Sequence, residues 1–213
     1  MPSISAIFWD VGGVLLSNAW DHNERKEAFA KFELDAAEFD KRHEPIVASF
    51  ETGTVSLDQY LDQTVFYRER AFTRDDFKQF MYSCSRPNAD ALNIARDLAK
   101  SKTVRMATIN NESLELNAFR VEKFDLRSIF DVFISSCFVK LRKPDPAIYR
   151  HALDLTQRFP EECCFIDDRA ENLVPAQKLG MHTIRMSSAH ELQEELQKLG
   201  VGTHWNARDM AGY

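Results

Sequence analysis

Four places in the chain carry residues whose types could do chemistry together. Asp10 closes the first apolar run, Ile4-Ser-Ala-Ile-Phe-Trp-Asp10, and Val11, Gly12 and Gly13 follow it. A carboxylate at the tip of a buried strand, ahead of a glycine turn, is presented at a sheet edge. Asn110 and Asn111 close a second run, Arg142-Lys143-Pro144 follows a third, and Asp167-Asp168 closes a fourth. Two carboxylate sites and a lysine converging in one crevice suit a divalent cation together with an anionic substrate. Hard oxygen ligands favour Mg2+, which keeps several waters and uses one or two carboxylates. Lys143 would balance the negative charge of a phosphoryl group or of an aspartate.

Each of these signals alone has a plainer reading. Asp before Gly-Gly is usually a turn, and so is Asn-Asn. Asp167-Asp168 could cap a helix, and Lys143 could be a solvated loop residue. What sets them apart is their joint order, each at the end of a different strand, where open α/β sheets bind ligands.

The elements that must position these residues are legible as alternating patterns. Short apolar runs at residues 4–10, 103–109, 132–135, 163–167 and 183–186 read as strands. Several lack clean alternation, which suits a parallel sheet covered on both faces. Helical patterns cover 88–102, with Leu92, Ala95 and Leu98 on one face, and 146–158, with Asp145 as N-cap and Pro146 in the first turn. Two more cover 170–179, ending at Gly180, and 189–199, opened by the capping box Ser188-Ala-His-Glu191 and ended by Gly200. The expected fold class is α/β, a doubly wound parallel sheet. Residues 18–86 break the rhythm: no convincing strand, and helical spacings at 23–32, 57–68 and 75–82. They read as an all-helical domain inserted into a core made of 1–17 and 87–213. Residues 203–213 show no periodicity.

Composition narrows the function classes. The chain has 213 residues, 44% of them hydrophobic, enough for one sizeable core and a smaller inserted domain. It carries 27 basic and 33 acidic residues, a net charge of -6, with no dense Lys/Arg cluster, so neither nucleic acid nor an anionic membrane is an expected partner. No apolar run approaches the ~20 residues of a membrane span, and no secretory signal is read at the N-terminus. The four cysteines form no CxxC pair and read as buried free thiols of a cytoplasmic protein.

Taken in order, Asp10-Val-Gly-Gly-Val-Leu, Asn110-Asn111, Arg142-Lys143-Pro144-Asp-Pro-Ala-Ile-Tyr149 and Phe165-Ile-Asp167-Asp168-Arg-Ala-Glu-Asn172 resemble the four motifs of the haloacid dehalogenase (HAD) superfamily. The inserted helices stand where the subclass I (C1) cap stands in that family. Within it the chain is similar to bacterial sugar phosphatases of the glucose-1-phosphatase type and to the phosphatase domain of soluble epoxide hydrolase. The resemblance implies a HAD-like Rossmannoid core and hydrolysis of a small phosphorylated metabolite through an aspartyl-phosphate on Asp10. It implies that Asp10, the Gly12 carbonyl and Asp167 hold Mg2+. Asp168 would support the metal or orient Lys143, and Asn172 would brace the loop. Lys143 is implied in catalysis and phosphoryl binding, and Asn110 and Asn111 in substrate binding. The partner would be a small molecule, and the protein a monomer or homodimer.

Two positions depart from the family pattern. The residue two after the nucleophile is often a second aspartate that protonates the leaving group and activates water, and here it is Gly12. The second motif usually supplies Ser or Thr to a phosphoryl oxygen; here Asn110 or Thr108 stands for it. Without an acid at position 12, leaving groups that depart easily as anions are favoured, unless a water or Glu51 replaces the acid. Trp20, Phe50, Glu51 and Tyr60 are candidates for a substrate-facing wall, though aromatic residues at helical spacing are more often core. Arg68 and Arg70 read as a solvated face. Two other functions remain open: a metal-free 2-haloacid dehalogenase using Asp10, and a HAD-fold protein with lost or weak catalysis.

Overall fold

The computed structural model describes residues 3–202; the aperiodic stretch 203–213 lies outside them. Five parallel strands form one sheet in the order β3-β2-β1-β4-β5, from β1 (Ala6–Trp9), β2 (Arg105–Asn110), β3 (Val132–Ser135), β4 (Cys163–Asp167) and β5 (His182–Arg185). The central strand β1 is fully buried, as its unbroken apolar run Ala-Ile-Phe-Trp requires. Trp9 pairs with Thr108 on one side and Ile166 on the other. The order of connection reverses between β1 and β4, and this is where open α/β sheets form their ligand crevice.

Chain order interleaves helices with these strands: α1 (His22–Lys31), α2 (Ala36–His43), α3 (Val47–Glu51), α4 (Leu57–Thr64), α5 (Arg74–Ser83), α6 (Ala89–Ser101), α7 (Leu114–Lys123), α8 (Ser136–Val139), α9 (Pro146–Thr156), α10 (Ala170–Lys178) and α11 (Ala189–Lys198). Ile7, Trp9 and Ile166 join Leu92 and Leu98 of α6 and Leu192 and Leu196 of α11 in one apolar cluster. Phe8, Ile109 and Phe165 join Ile148 and Tyr149 of α9 and Leu173 of α10 in another. The alternation of Ile7, Phe8 and Trp9 between the two clusters is the strand's period of two. The expected caps Asp145 and Ser188 each accept a backbone N–H of the first turn, and Asn88 caps α6 in the same way. Gly180 and Gly200, just past their helices, take φ of +98° and +72°.

Helices α1 to α5 all fall between β1 and α6, where no strand was expected, and share a third apolar cluster that includes Phe39, Phe50, Tyr60 and Phe77 and reaches Leu116 of α7. Where the chain leaves and re-enters the sheet region, the two segments are stitched together: Leu16 pairs with Pro87, and the Ser17 N–H donates to Arg86 O at 2.8 Å.

All four cysteines are free and buried. Burial pushes the thiols up, to about 11 at Cys84 and about 12 at Cys163. No helix is long and apolar enough to cross a membrane among the described residues.

Candidate active site

The first carboxylate is set by the end of β1. The Asp10 N–H donates to Ile166 O at 2.9 Å, extending the ladder one residue beyond the strand. Its Oδ1 accepts the Val11 N–H at 2.8 Å and lies 2.8 Å from Lys143 Nζ. The chain then turns: Gly13 N–H donates to Leu16 O at 2.7 Å, and Leu16 N–H to Val11 O at 2.8 Å. Gly13 holds φ +76°, and a Cβ there would fall 2.3 Å from Asp168 Oδ2. Gly12 has no such backbone demand. A Cβ at position 12 would meet Asn18 Oδ1 at 3.2 Å and Arg120 Nη1 at 3.6 Å.

Lys143 joins this carboxylate to the second. It is 3% exposed, and its Nζ lies 2.7 Å from Asp167 Oδ2. Asn111 fixes the lysine's backbone from both sides, accepting from Lys143 N–H at 2.8 Å and donating to Lys143 O at 2.9 Å. Asp167 is fully buried and its oxygens are spent: besides Lys143, they accept Arg169 N–H at 2.8 Å and Asn172 Nδ2 at 3.0 and 3.1 Å. Asp168 is the open carboxylate. Its Oδ2 accepts Asn18 Nδ2 at 3.4 Å, and its buried Oδ1 has no hydrogen-bond partner among the described residues.

Oxygens of Asp10, Asp167 and Asp168 gather within 4.8 Å of one another. Burial pushes the Asp10 carboxyl up to about 7; Lys143 pulls it down, and Asp167 and Asp168 push it up again. Asp168 is raised by burial and then by Asp167.

A cavity of about 230 Å³ opens above these groups, lined by Asp10, Gly12, Asn111 and Lys143 and, from the helices between β1 and α6, by His43, Phe50 and Glu51. Trp20 and Arg120 also line it, while Tyr60 stands behind. The Tyr60 hydroxyl accepts Trp20 Nε1–H at 3.0 Å and lies 2.7 Å from His43 Nδ1. Ion pairs connect the two sides of the cavity. Glu51 Oε2 lies 2.6 Å from Arg142 Nη2, and Asp21 Oδ2 lies 2.5 Å from Arg169 Nη2. Arg68 and Arg70 do not line it.

The second motif differs from its expected role. Asn110, expected to bind substrate, does not line the cavity. Its side chain is 2% exposed and turned into the protein, donating to Asn117 Oδ1 at 3.1 Å and accepting from Ser135 Oγ at 2.9 Å. Thr108, two residues earlier on the same strand face, is fully buried as well. Asn111 does reach the cavity, with its amide committed to Lys143. Contributors not singled out from sequence include His43, Asn18, Arg120 and its partner Glu112, whose Oε2 lies 2.7 Å from Arg120 Nη1.

The "Bifunctional epoxide hydrolase 2" of Sus scrofa is 28% identical over 217 aligned positions, which take in 92% of this chain but 39% of that enzyme's length. The "(S)-2-haloacid dehalogenase 4A" of Burkholderia cepacia is 27% identical over 136 positions, 61% of this chain and 58% of that protein. Among solved structures, the HAD family enzyme bt-2542 of Bacteroides thetaiotaomicron superposes with a TM-score of 0.76 at 20% identity, covering 95% of this chain and 97% of its own. That enzyme is also known in a complex with magnesium and inorganic phosphate (TM-score 0.74, 22% identity, 87% of this chain and 95% of that one). Residues 4–180 match the model of the haloacid dehalogenase-like hydrolases, and the chain belongs to that family.

Proposed function

We propose that the protein is a Mg2+-dependent phosphatase of small phosphomonoesters, with Asp10 as nucleophile. The observation that carries this reading is the buried Asp10–Lys143–Asp167 bridge with a third, open carboxylate beside it. One buried ammonium faces three carboxylates, a charge balance completed by a cation. The donor set fits Mg2+. Asp10 Oδ2 and the Gly12 carbonyl accept no hydrogen bond among the described residues, and Asp168 Oδ1 is an orphaned buried oxygen. Asp10, the Gly12 carbonyl and Asp168 would hold the ion, because Asp167 has no lone pair to spare; this exchanges the roles first expected of the two aspartates. Bound there, Mg2+ would neutralise phosphoryl oxygens.

The residues of the chain do the rest. Asp10 attacks phosphorus, and the bond to the leaving oxygen breaks with its electron pair. Lys143 holds Asp10 in place and offsets charge on the phosphoryl group. Water then cleaves the aspartyl-phosphate, releasing phosphate and restoring the carboxylate. Residues 18–86 serve as a cap, contributing His43, Phe50 and Glu51 to a cavity sized for a small metabolite. The magnesium and phosphate complex of the Bacteroides enzyme supports the same reading.

A screen of phosphomonoesters with and without Mg2+, with Asp10→Asn as control, tests it. Release of phosphate that needs both Mg2+ and Asp10 is expected. Chloride release from 2-haloacids that survives chelation would replace this reading with dehalogenation.

A further inference from the structure

The corner beside the nucleophile, vacated by the glycine at position 12, holds an arginine. Arg120 is 3% exposed, although it lines the cavity. Its Nη1 sits 3.6 Å from where a side chain at position 12 would begin. Glu112 Oε2 holds Nη1 at 2.7 Å, Ser17 O accepts from Nη2, and Nε is buried without a partner among the described residues. The guanidinium therefore has N–H donors to spare and is fixed from two sides. A guanidinium does not give up its proton in a protein, but it stabilises an anionic oxygen well.

Most of the other titratable groups around the cavity are held in ion pairs; Glu51, whose carboxyl is pushed up by burial against the pull of Arg142, is the rival proton donor that the experiment below tests. Asp21 is paired with Arg169, Glu51 with Arg142 and Glu112 with Arg120. Asp10, Asp167 and Asp168 form the carboxylate cluster, Lys143 is held between two of them, and Glu171 is exposed. His43 is pushed down to about 4 by burial and the nearby Arg25, so it is neutral near pH 7, and Tyr60 engages its Nδ1.

We propose that Arg120 stabilises the departing oxygen as an anion, so that the enzyme takes phosphomonoesters whose leaving oxygen is weakly basic, such as aryl or anomeric esters. This rests on the phosphatase reading. In the step, Asp10 forms a bond to phosphorus while the ester P–O bond breaks, and its electron pair stays on the leaving oxygen beside Arg120. That oxygen then takes a proton from solvent, equal to the one released when water hydrolyses the aspartyl-phosphate.

The experiment is a leaving-group series: kcat/KM for aryl phosphates of graded phenol acidity and one alkyl phosphate, measured on wild type, Arg120→Met, Arg120→Lys and Glu51→Gln. In wild type the rate should fall about tenfold or more for every two units of leaving-group basicity. Arg120→Met should lose about 10²-fold on the poorest leaving groups and far less on the best, the size of a lost oxyanion donor. Arg120→Lys should recover part of that loss. A strut of purely structural value would lower all substrates alike, and that result in a folded Arg120→Met would overturn the proposal. A flat wild-type profile would overturn it without any variant, leaving the phosphatase reading intact. A slope that steepens in Glu51→Gln would assign proton donation to Glu51 and overturn it too. No turnover of any phosphomonoester would instead remove the phosphatase reading itself.

Discussion

A side chain at position 13 would occupy the place of the Asp168 carboxylate: the Cβ of any residue other than glycine falls 2.3 Å from Asp168 Oδ2. The turn after the nucleophile and the carboxylate that follows the fourth strand are thus fitted to one another. Gly13→Ala combines this clash with φ +76°, and should lower stability by about 1–3 kcal/mol. It should also weaken Mg2+ binding by displacing Asp168. Urea unfolding and calorimetric Mg2+ titration measure the two effects. Gly12→Ala, with its wider clearance and ordinary backbone, should be much milder.

Lys143→Met leaves two buried carboxylates facing each other without their ammonium. A loss of about 3–5 kcal/mol is expected from breaking such a pair on one side, with activity falling to the level of Asp10→Asn. Lys143→Arg should not rescue activity, since a guanidinium is a planar fork and the site holds a compact ammonium at 3% exposure. Denaturation midpoints and kcat separate the two losses.

Neighbouring asparagines should behave differently. Asn111→Ala frees the lysine backbone and should lower kcat about tenfold or more in a folded protein. Asn110→Ala strands Asn117 and Ser135 in the interior and should cost about 1–3 kcal/mol of stability, while KM changes little. Equal KM increases in both variants would restore Asn110 to the substrate site.

His43 makes stability depend on pH. Its ordinary value of 6.5 is lowered to about 4 in the folded protein, by burial and then Arg25, against opposing Asp40 and Asp21. Between those two values the unfolded chain binds the extra proton. The neutral histidine's contribution is therefore complete above pH 6.5 and is lost as pH falls toward 4, by up to about 3 kcal/mol. The difference between wild type and His43→Gln across this window isolates it from the carboxylates that titrate there.

Much of the scaffold is legible in the sequence because buried parallel strands leave short apolar runs and their helices carry caps. The ends of β1 and β4 are legible for the same reason: an aspartate after Phe-Trp or Phe-Ile has no place in the core and must sit at the strand's tip. The inward turn of Asn110 is hidden, because β2 runs one residue further than its apolar stretch and its polar side chains at 108 and 110 face Asn117 and the core. The division of labour between Asp167 and Asp168 depends on Asn172 and Lys143, which only the folded loops bring together. Arg120 is hidden most deeply. Its partners Ser17 and Glu112 are 103 and 8 residues away, and no local pattern ties them. Helix α3, five residues long, is too short to show a period.

In the proposed reaction Asp10 carries the phosphoryl group. Acid-quenched single turnover with Mg2+ and an aryl phosphate, followed by mass spectrometry of the peptide containing Asp10, tests it most directly. One phosphoryl group on Asp10, absent in Asp10→Asn, is the expected result. Full turnover by Asp10→Asn, with no phosphorylated peptide in wild type, would contradict it.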